Sequence, residues 1–419
     1  MNQNFFFNKK ILIYGLGVSG KSCLKFLSKN NNINLYDDNE SLKNLKNKGF
    51  FLKKSIIKNK EFDYIVLSPG IDIKKCKLKN YLIKNKSKII TELDIFYLNY
   101  PKNIKITLTG TNGKSTTCKM LYKVFKLNNL DVRLVGNIGK SPLLEKKIDL
   151  KTLFIIEASS YQIFYSKYFK ADHAAILNLS ADHLERHGNI NNYAKAKLKL
   201  IFNQIKNNYS YIEQNNILIN KHIKKKKIKS KLFRLKYNKE NFFKKYIKNK
   251  YLLDNNNINN LHFVYAICKN FNFTDKNIFK SLNLFRGLDY RNQIIYNKKK
   301  LTIINDSKST SFSSSIGLLS SYKNIYWIVG GMNKKGDKFN LDKNYFKNIK
   351  GYLFGKNQKK FLSDLKNKIK LKKFSNLTYA WITLLQDFKK DNSKEKTILF
   401  SPAAASFDNF KNFEKRGEY

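Results

Sequence analysis

The stretch that decides the fold is residues 104–117, which read IKITLTGTNGKSTT. Its first six residues are mostly β-branched or aliphatic, a pattern that predicts a buried strand. Gly110 and Gly113 follow directly, and glycine lets backbone N–H groups surround phosphate oxygens. Lys114 is placed to reach the β- and γ-phosphates, and the Ser115 hydroxyl can ligate Mg²⁺. The stretch therefore predicts a strand, a phosphate loop and a helix that together bind a nucleoside triphosphate.

The same order of strand and then glycine occurs along the whole chain. Short aliphatic runs precede three further groups: Gly15, Gly17 and Gly20; Gly136 and Gly139; and Gly330, Gly331 and Gly336. This repetition predicts an α/β fold of parallel sheets, with functional loops at the carboxyl ends of the strands. We expect three domains: a Rossmann-like N-terminal domain at 1–95, a central P-loop ATPase-like domain with a parallel sheet at 96–284, and a Rossmann-like C-terminal domain at 285–419.

The first glycine group, GLGVSG at 15–20, fits the dinucleotide fingerprint G-x-G-x-x-G. Asp37 ends the next strand at the distance where an acid can hold a ribose. Two interpretations stay open from these residues: a site for a nucleotide diphosphate, or a tight turn between strand and helix. Alone, the motif would suggest an oxidoreductase, but the separate phosphate loop argues against that class.

Two polar groups follow strands that are predicted to lie near the phosphate loop. Glu157 closes the run LFIIE, where a carboxylate can hold Mg²⁺. Asp182, His183 and His187 follow the run AAIL, and the chain has only five histidines. We expect His183 to be a ligand and His187 to be structural.

Lys197 lies in NNYAKAKLKLIF, which has helical spacing. On such a helix Lys197 shares a face with Tyr193, Leu200 and Ile201, whereas Lys195 and Lys199 lie on another. An inward lysine is costly unless it is neutralised, modified or paired. A snorkelling surface lysine is the alternative from this pattern alone.

The composition raises and then weakens a nucleic-acid interpretation. The chain has 419 residues and a formal net charge of +52, from 82 Lys+Arg against 30 Asp+Glu. Only six of the basic residues are Arg, the residue that nucleic-acid readers use for bidentate contacts. The lysines are also spread along the chain, and the Lys-rich stretch at about 219–250 carries no motif. We attribute the charge to compositional drift and expect no specific nucleic-acid partner.

The same composition excludes other classes. No run of 18 apolar residues occurs, so no membrane span is expected. The N-terminus lacks a secretory cleavage pattern. Cys23, Cys76, Cys118 and Cys268 are scattered without metal spacing, as in a reducing compartment. We expect a cytoplasmic protein, and a monomer.

The motifs taken together resemble the Mur ligase family over essentially the whole chain. Those that carry the resemblance are GTNGKSTT, NLSADHLERHG with YAKAKL, INDSKST, and LFSPAAASFDNFKNFEKRGE. The last points to the D-glutamate-adding member. The resemblance implies an ATP-dependent ligase of peptidoglycan precursor synthesis that joins D-glutamate to UDP-N-acetylmuramoyl-L-alanine through an acyl phosphate.

The family also implies roles for residues. The catalytic set is Lys114, Glu157, His183 and Lys197. One Mg²⁺ is held by Ser115 and Glu157, and a second by His183 and a carbamylated Lys197. The ATP-binding set is Gly110, Thr111, Asn112, Gly113, Lys114, Ser115, Thr116, Asn260, Arg291 and Asp306.

Two substrate sets follow from the same resemblance. The UDP-linked substrate is bound by Gly15, Gly17, Val18, Ser19, Asp37, Asp38, Gly70, Asn137 and His183. D-glutamate is bound by Thr310, Lys334, Ser406, Phe407 and Phe413, with Lys335 as the alternative to Lys334.

Two rival functions come from these residues. One is another Mur or folylpolyglutamate-type ATP-dependent amide ligase; the first-domain glycine loop and the segment SPAAASFDNF argue against it. The other is a nucleotide- or polyanion-binding protein that lacks catalysis, which the charge alone favours.

Overall fold

The computed structural model describes residues 5–39, 50–249, 251–253, 255–298, 300–333, 337–355, 358–393, 395–406 and 409–419. Their contacts divide the chain into two compact units, Met1–Phe285 and Arg286–Tyr419. The first unit holds two parallel sheets and the second holds one mixed sheet. The predicted α/β class is confirmed. The boundaries at 95 and 284 stay predictions.

The first sheet is built from short apolar strands that are buried after their first residue. Its strands are β1 (Lys10–Tyr14), β2 (Asn32–Tyr36), β3 (Tyr64–Leu67) and β4 (Ile89–Ile90), and its helices are α1 (Val18–Leu27), α2 (Lys54–Lys58), α3 (Lys79–Lys84) and α4 (Glu92–Asn99). All pairings are parallel, in the order β2-β1-β3-β4. Since the neighbours of β1 diverge to its two sides, the glycine loop after β1 lies at a topological switch point, where such sheets bind ligands.

The second sheet is also parallel, in the order β10-β9-β8-β5-β7-β6. Its strands are β5 (Lys105–Thr109), β6 (Val132–Gly136), β7 (Leu153–Glu157), β8 (His173–Ile176), β9 (Tyr209–Glu213) and β10 (Lys231–Leu235). The helices of this part are α5 (Lys114–Leu127), α6 (Ser160–Tyr165), α7 (Leu184–His187), α8 (Ile190–Phe202), α9 (Ile217–Ile223), α10 (Glu240–Tyr246), α11 (Asn255–Asn270) and α12 (Asp275–Asn283). The phosphate loop after β5 lies at the switch point of this sheet. The Lys-rich stretch contributes the edge strand β10.

A continuous apolar core joins the two sheets of the first unit. One buried cluster includes Ile13 and Val66 of the first sheet and Phe154 and Ile156 of the second. Phe96 of α4 meets Phe154 edge-on, with ring centroids 4.8 Å apart. Burial of this apolar surface packs the two sheets into one unit.

The start of α4 carries two buried carboxylates that reach elements on both sides of it. Asp94 caps the helix through Thr91 and also accepts from the N–H groups of 167–169 and the Ser166 hydroxyl. Glu92 accepts from Ser19 and Ser22 of α1 and from Ser141, which follows β6. Buried charges are tolerated only when hydrogen-bonded, and both of these are.

The second unit, Arg286–Tyr419, has a sheet in the order β11-β12-β16-β13-β14-β15. Its strands are β11 (Gln293–Lys298), β12 (Leu301–Asn305), β13 (Ile325–Gly330), β14 (Ile349–Phe354), β15 (Lys370–Phe374) and β16 (Lys396–Phe400), and its helices are α13 (Phe312–Ser321), α14 (Lys359–Leu365), α15 (Leu377–Lys390) and α16 (Phe413–Glu418). Only β11 pairs antiparallel among these described strands. An antiparallel edge is common on doubly wound sheets, so the Rossmann-like expectation holds for the parallel remainder.

A bilayer of ordinary thickness needs a long apolar helix to cross it. Within the described ranges, every helix is too short or too polar for that.

Candidate active site

The phosphate loop runs from the buried end of β5 to the first residue of α5. Gly113 has φ +79°, a left-handed conformation that favours glycine. A Cβ at this position would overlap the side-chain amide of Asn260 on α11. The structure therefore brings the predicted ATP-binding residue Asn260 against the loop.

Lys114 folds back over the loop that precedes it. Its Nζ donates to the carbonyl oxygens of Gly110, at 2.9 Å, and Thr111, at 2.8 Å. Asn178, after β8, braces the same loop: its carbonyl accepts from Thr111 N and its side chain from Asn112 N. The ammonium is thus held where an anion entering the loop would meet it.

Glu157 is the central acceptor beside the loop and is almost fully buried at the end of β7. Ser115 Oγ donates to its Oε2 at 2.6 Å, and Asn137 Nδ2 donates to its Oε1 at 2.8 Å. The structure therefore joins the two predicted ligands of one metal ion to a predicted substrate residue. Hard oxygen donors of this kind suit Mg²⁺, which needs few protein ligands beside water and phosphate oxygens. The residues present fit such an ion.

Lys197 points inward from α8, as its helical spacing predicted. It is buried, like Tyr193 on the same face, whereas Lys195 is exposed. Lys197 Nζ donates to Gly110 O at 2.9 Å and to Thr109 Oγ1 at 3.2 Å. Burial, and then the positive charge of Lys114, hold the pKa of Lys197 well below the usual lysine value. The snorkelling alternative is therefore wrong.

His183 lies in a left-handed conformation, with φ +52°, just before α7. Its side chain is 42% exposed, and its two ring nitrogens lie 3.5 Å from Asp182 Oδ2 and from Glu185 Oε1. Its ring also contacts that of Tyr161 in a tilted arrangement, with centroids 4.9 Å apart. An exposed imidazole with two carboxylates beside it suits a cation. Among the described residues, no three His, Cys, Asp or Glu side chains converge as a metal cage.

His187 is structural in its geometry, as expected. It is buried, and its Nε2 shares a hydrogen bond with Ser160 Oγ at 3.1 Å. Burial lowers its pKa, so the ring is neutral at pH 7.

The glycine loop that follows β1 is tightly packed at Gly15 and has free space around Gly17. Gly15 has φ +91°, and a Cβ there would lie 2.8 Å from Ser68 Cβ. A Cβ at Gly17 or Gly70 meets no described atom within 4 Å, and Val18 is 80% exposed. The backbone of this loop can therefore approach a ligand closely.

The two acids after β2 support this loop. Asp37 Oδ2 accepts from Leu16 N at 2.7 Å, and Asp38 Oδ1 accepts from the Tyr14 hydroxyl at 2.7 Å. The fingerprint acid thus binds the loop backbone. Ser19 likewise donates to Glu92 at 2.8 Å.

In the second unit, Asp306 ends β12 in a buried position. Ser401 Oγ donates to its Oδ2 at 2.7 Å and Asn292 N donates to its Oδ1 at 3.2 Å. Burial raises the pKa of Asp306 to about 7, and the charge of Arg291 opposes that rise. The two predicted ATP-binding residues of this unit are thus electrostatically coupled.

The described members of the predicted D-glutamate set follow strands of the same sheet. Thr310 follows β12 and is exposed, and Ser406 follows β16 and is buried. Phe413 opens α16, and the Lys308 ammonium lies 3.7 Å from its ring centroid. Lys334, its alternative Lys335, and Phe407 lie outside the described residues.

The sequence missed several supporting residues. Glu92 and Arg186 carry no local pattern, because their partners are far away along the chain. Asn178 had a signal, since it follows a strand beside the phosphate loop. Arg416 is buried and donates to the carbonyls of Ser307 and Ala404.

These features define a phosphate-loop α/β protein with a second, glycine-rich binding loop. Residues 9–91 match the model of the Mur ligase MurD-like N-terminal domain, and residues 108–274 match that of the Mur ligase middle domain. The chain belongs to the Mur ligase family.

Similar proteins and a solved structure are consistent with this family assignment. The UDP-N-acetylmuramoylalanine--D-glutamate ligase of Rickettsia bellii is 33% identical over 98% of this chain and 96% of that protein. The ligase of the same name from Rickettsia prowazekii is 32% identical over 99% and 98%. The MurF ligase of Thermotoga maritima, solved in complex with ADP, is 16% identical with a TM-score of 0.55, over 100% of this chain and 97% of that one. At that identity the structure supports the fold alone.

Proposed function

We propose that the protein is an ATP-dependent carbon–nitrogen ligase that adds D-glutamate to UDP-N-acetylmuramoyl-L-alanine in peptidoglycan precursor synthesis. The near full-length likeness to D-glutamate ligases supports the substrates. The observation that carries the chemistry is the convergence of Lys114 and Lys197 on the Gly110 carbonyl, beside the hydrogen-bonded pair Ser115 and Glu157.

The reaction is amide formation driven by ATP. An oxygen of the L-alanyl carboxylate attacks the γ-phosphorus, and the bond from that phosphorus to the bridging oxygen of ADP breaks. The D-glutamate amine then attacks the acyl carbon, loses a proton, and inorganic phosphate leaves. Lys114 offsets the negative charge that gathers between the carboxylate and the phosphates.

Two magnesium ions fit this role. Ser115 and Glu157 would hold one, and His183 with a carbamylated Lys197 the other. Bound there, the ions would polarise the phosphoryl oxygens. Asn137 keeps Glu157 oriented through its 2.8 Å hydrogen bond.

Carbamylation of Lys197 needs a neutral amine, and its lowered pKa supports that form. The nitrogen attacks the carbon of CO₂ and loses a proton, which leaves an anionic carbamate. An anion at this position would be attracted by Lys114, whereas the ammonium is repelled by it.

The remaining roles follow the three domains that we propose at 1–95, 96–284 and 285–419. The exposed glycine loop Gly15–Gly20 supports a site for the UDP part of the acceptor, completed by Gly70 and Asn137. The third domain would receive D-glutamate through Thr310, Ser406 and Phe413, with Lys334 or Lys335 and Phe407, and would contact ATP through Arg291 and Asp306.

The test is phosphate release from ATP with the UDP-linked acceptor and one amino acid at a time. D-glutamate should support turnover, and L-glutamate, L-lysine and meso-diaminopimelate should support little. Equal turnover with L-lysine would refute the assignment. Calorimetry adds a check on the first domain, which should bind the UDP-linked acceptor and not NAD.

A further inference from the structure

Arg186 on α7 is bound to three consecutive carbonyl groups of the loop that follows β3. Its Nη1 donates to Gly70 O at 3.2 Å, and its Nη2 donates to Pro69 O at 3.2 Å and also to Ile71 O. These carbonyls are more than 110 residues away along the chain. A single side chain of the central sheet therefore fixes a loop of the first sheet.

Two tyrosines of α6 hold the guanidinium in place. Its central carbon lies 5.3 Å from the Tyr161 ring centroid and 5.7 Å from that of Tyr165. Arginine stacks on aromatic rings in this manner, and the stacking limits the positions that the planar group can adopt. The Tyr165 hydroxyl also accepts from Ile73 N at 3.3 Å, which adds a second bond to the same loop.

The loop held by Arg186 supports the glycine loop directly. Ile71 N donates to Ser68 O, and Ser68 Oγ donates to Gly15 O at 2.6 Å. A Cβ at Gly15 would lie within 3 Å of both Ser68 and Ile71. Movement of Pro69–Ile71 would therefore move Gly15 as well as Gly70, the residues assigned to the UDP-linked substrate.

Tyr161, which contacts Arg186, also contacts His183. The Tyr161 and His183 rings are tilted by 53° to each other, and the Tyr161 hydroxyl donates to Glu185 at 3.2 Å. His183 and the loop Pro69–Ile71 thus share one support. This arrangement connects the two places where the acceptor would be bound.

We propose that Arg186 is a positioning residue for the UDP-linked acceptor. It sets the loop Pro69–Ile71, and through it Gly15, at a fixed place relative to His183. This inference rests on the proposed function. Its effect falls on the acceptor and not on ATP, because none of its described contacts reaches the phosphate loop.

The planar shape of the Arg186 guanidinium, rather than its charge, should determine the effect of substitutions at this position. Guanidinium offers five N–H donors in a planar fork, whereas a lysine ammonium is a point charge with three donors. Lysine at this position keeps the charge but lacks the planar fork that lets one side chain bind three carbonyls while contacting both tyrosine rings. Arg186→Lys and Arg186→Gln should therefore raise the acceptor KM to a similar extent.

The experiment measures KM and kcat separately for the acceptor and for ATP in both variants. The acceptor KM should rise about tenfold or more, with the ATP KM within about twofold of wild type. Arg234→Lys is the matched control: Arg234 lies in the same unit, on β10, and donates to Asn220 at an exposed position. Hydrogen exchange at 68–73 adds a reading that needs no activity, and should be faster in both Arg186 variants and unchanged in the control.

The outcomes separate the two claims. Wild-type protein that releases no phosphate with acceptor and D-glutamate refutes the proposed function. Active wild type with an unchanged acceptor KM in Arg186→Gln overturns the role of Arg186 alone. An acceptor KM restored by Arg186→Lys, or an equal rise in the ATP KM, also overturns it.

Discussion

The carbonyl oxygen of Gly110 accepts from two lysines, Lys114 and Lys197. Two ammonium groups on one acceptor repel each other, and burial removes the water that would screen them. Burial and the charge of Lys114 lower the pKa of Lys197, which favours its neutral form. The neutral amine is the form that the proposed carbamylation of Lys197 requires.

If the proposed carbamate forms, Lys197→Ala should lose about 100-fold or more in phosphate release, because that anionic group is removed. Lys195→Ala is the control, since Lys195 is exposed on the other face of α8. A short carboxylic acid added to Lys197→Ala should restore part of the activity. Near-normal turnover of Lys197→Ala at saturating Mg²⁺ would rule out the carbamate.

Asp306 gives the stability of the chain a pH dependence. Its pKa is raised from 3.8 to about 7 in the folded chain, so the folded state holds the proton more tightly than the unfolded one. Its contribution to stability is present below about pH 4 and is lost as the pH rises through about 7. Asp306→Asn, which stays neutral, should gain in Tm relative to wild type across that window.

The control for this measurement is Asp342→Asn. Asp342 is exposed in the same unit and accepts from Asn344 N, a bond that asparagine can also make. Its Tm is measured against wild type over the same pH series. A Tm difference from wild type that does not change with pH for Asp306→Asn would contradict the raised pKa of Asp306.

Some side chains could be placed from the sequence and others could not. The inward face of Lys197 followed from helical spacing, and the position of Glu157 followed from the end of a buried strand. Glu92 and Arg186 bind groups up to 117 residues away in sequence. No local periodicity reports such contacts, because they depend on how the sheets pack.

At the scale of the element, helix α5 begins where glycine is required. Gly113 has φ +79° and leaves space for the Asn260 amide; Gly188 has φ +81°, and a Cβ there meets no described atom within 4 Å. Alanine substitutions at the two positions therefore distinguish the cost of backbone strain from the cost of steric overlap.

Gly188→Ala should lose about 1–2 kcal/mol of unfolding free energy from the left-handed conformation alone. Gly113→Ala should lose about 2–5 kcal/mol, since overpacking adds to that strain, and it should also weaken ATP binding. Urea unfolding and calorimetry measure the two effects. Equal losses of stability in the two variants would show that the Asn260 side chain moves away from residue 113 without an energetic cost.

The sequence predicted the parallel strands well, because buried aliphatic runs followed by glycine mark them. It did not predict the antiparallel edge strand β11. Lys300, between β11 and β12, adopts φ +69° without being glycine or asparagine, so the connection shows none of the usual turn residues.

At the scale of the whole molecule, the charge of +52 is carried mainly by lysine. Several of the six arginines are used inside the fold: Arg186 and Arg416 bind backbone carbonyls, and Arg133 lies within 4 Å of Asp131 and Glu145. Three of the six side chains best suited to base recognition are thus already engaged within the fold.

Binding to DNA should accordingly be weak, independent of sequence and lost by physiological salt, since it rests on counterion release. Fluorescence anisotropy with two unrelated duplexes over a salt series measures this. Tight binding to one duplex at physiological salt would restore a nucleic-acid function.

The two carboxylates at the start of α4 have a consequence for how the chain unfolds. Glu92 and Asp94 are satisfied by groups from both sheets of the first unit. Separating the two sheets would leave two buried carboxylates without their hydrogen-bond partners, which costs roughly 3–5 kcal/mol each. The total unfolding free energy of an ordinary domain is only about 5–15 kcal/mol. We therefore expect the two sheets of the first unit to unfold together, so that the domain proposed at 1–95 would not be a separate cooperative folding unit.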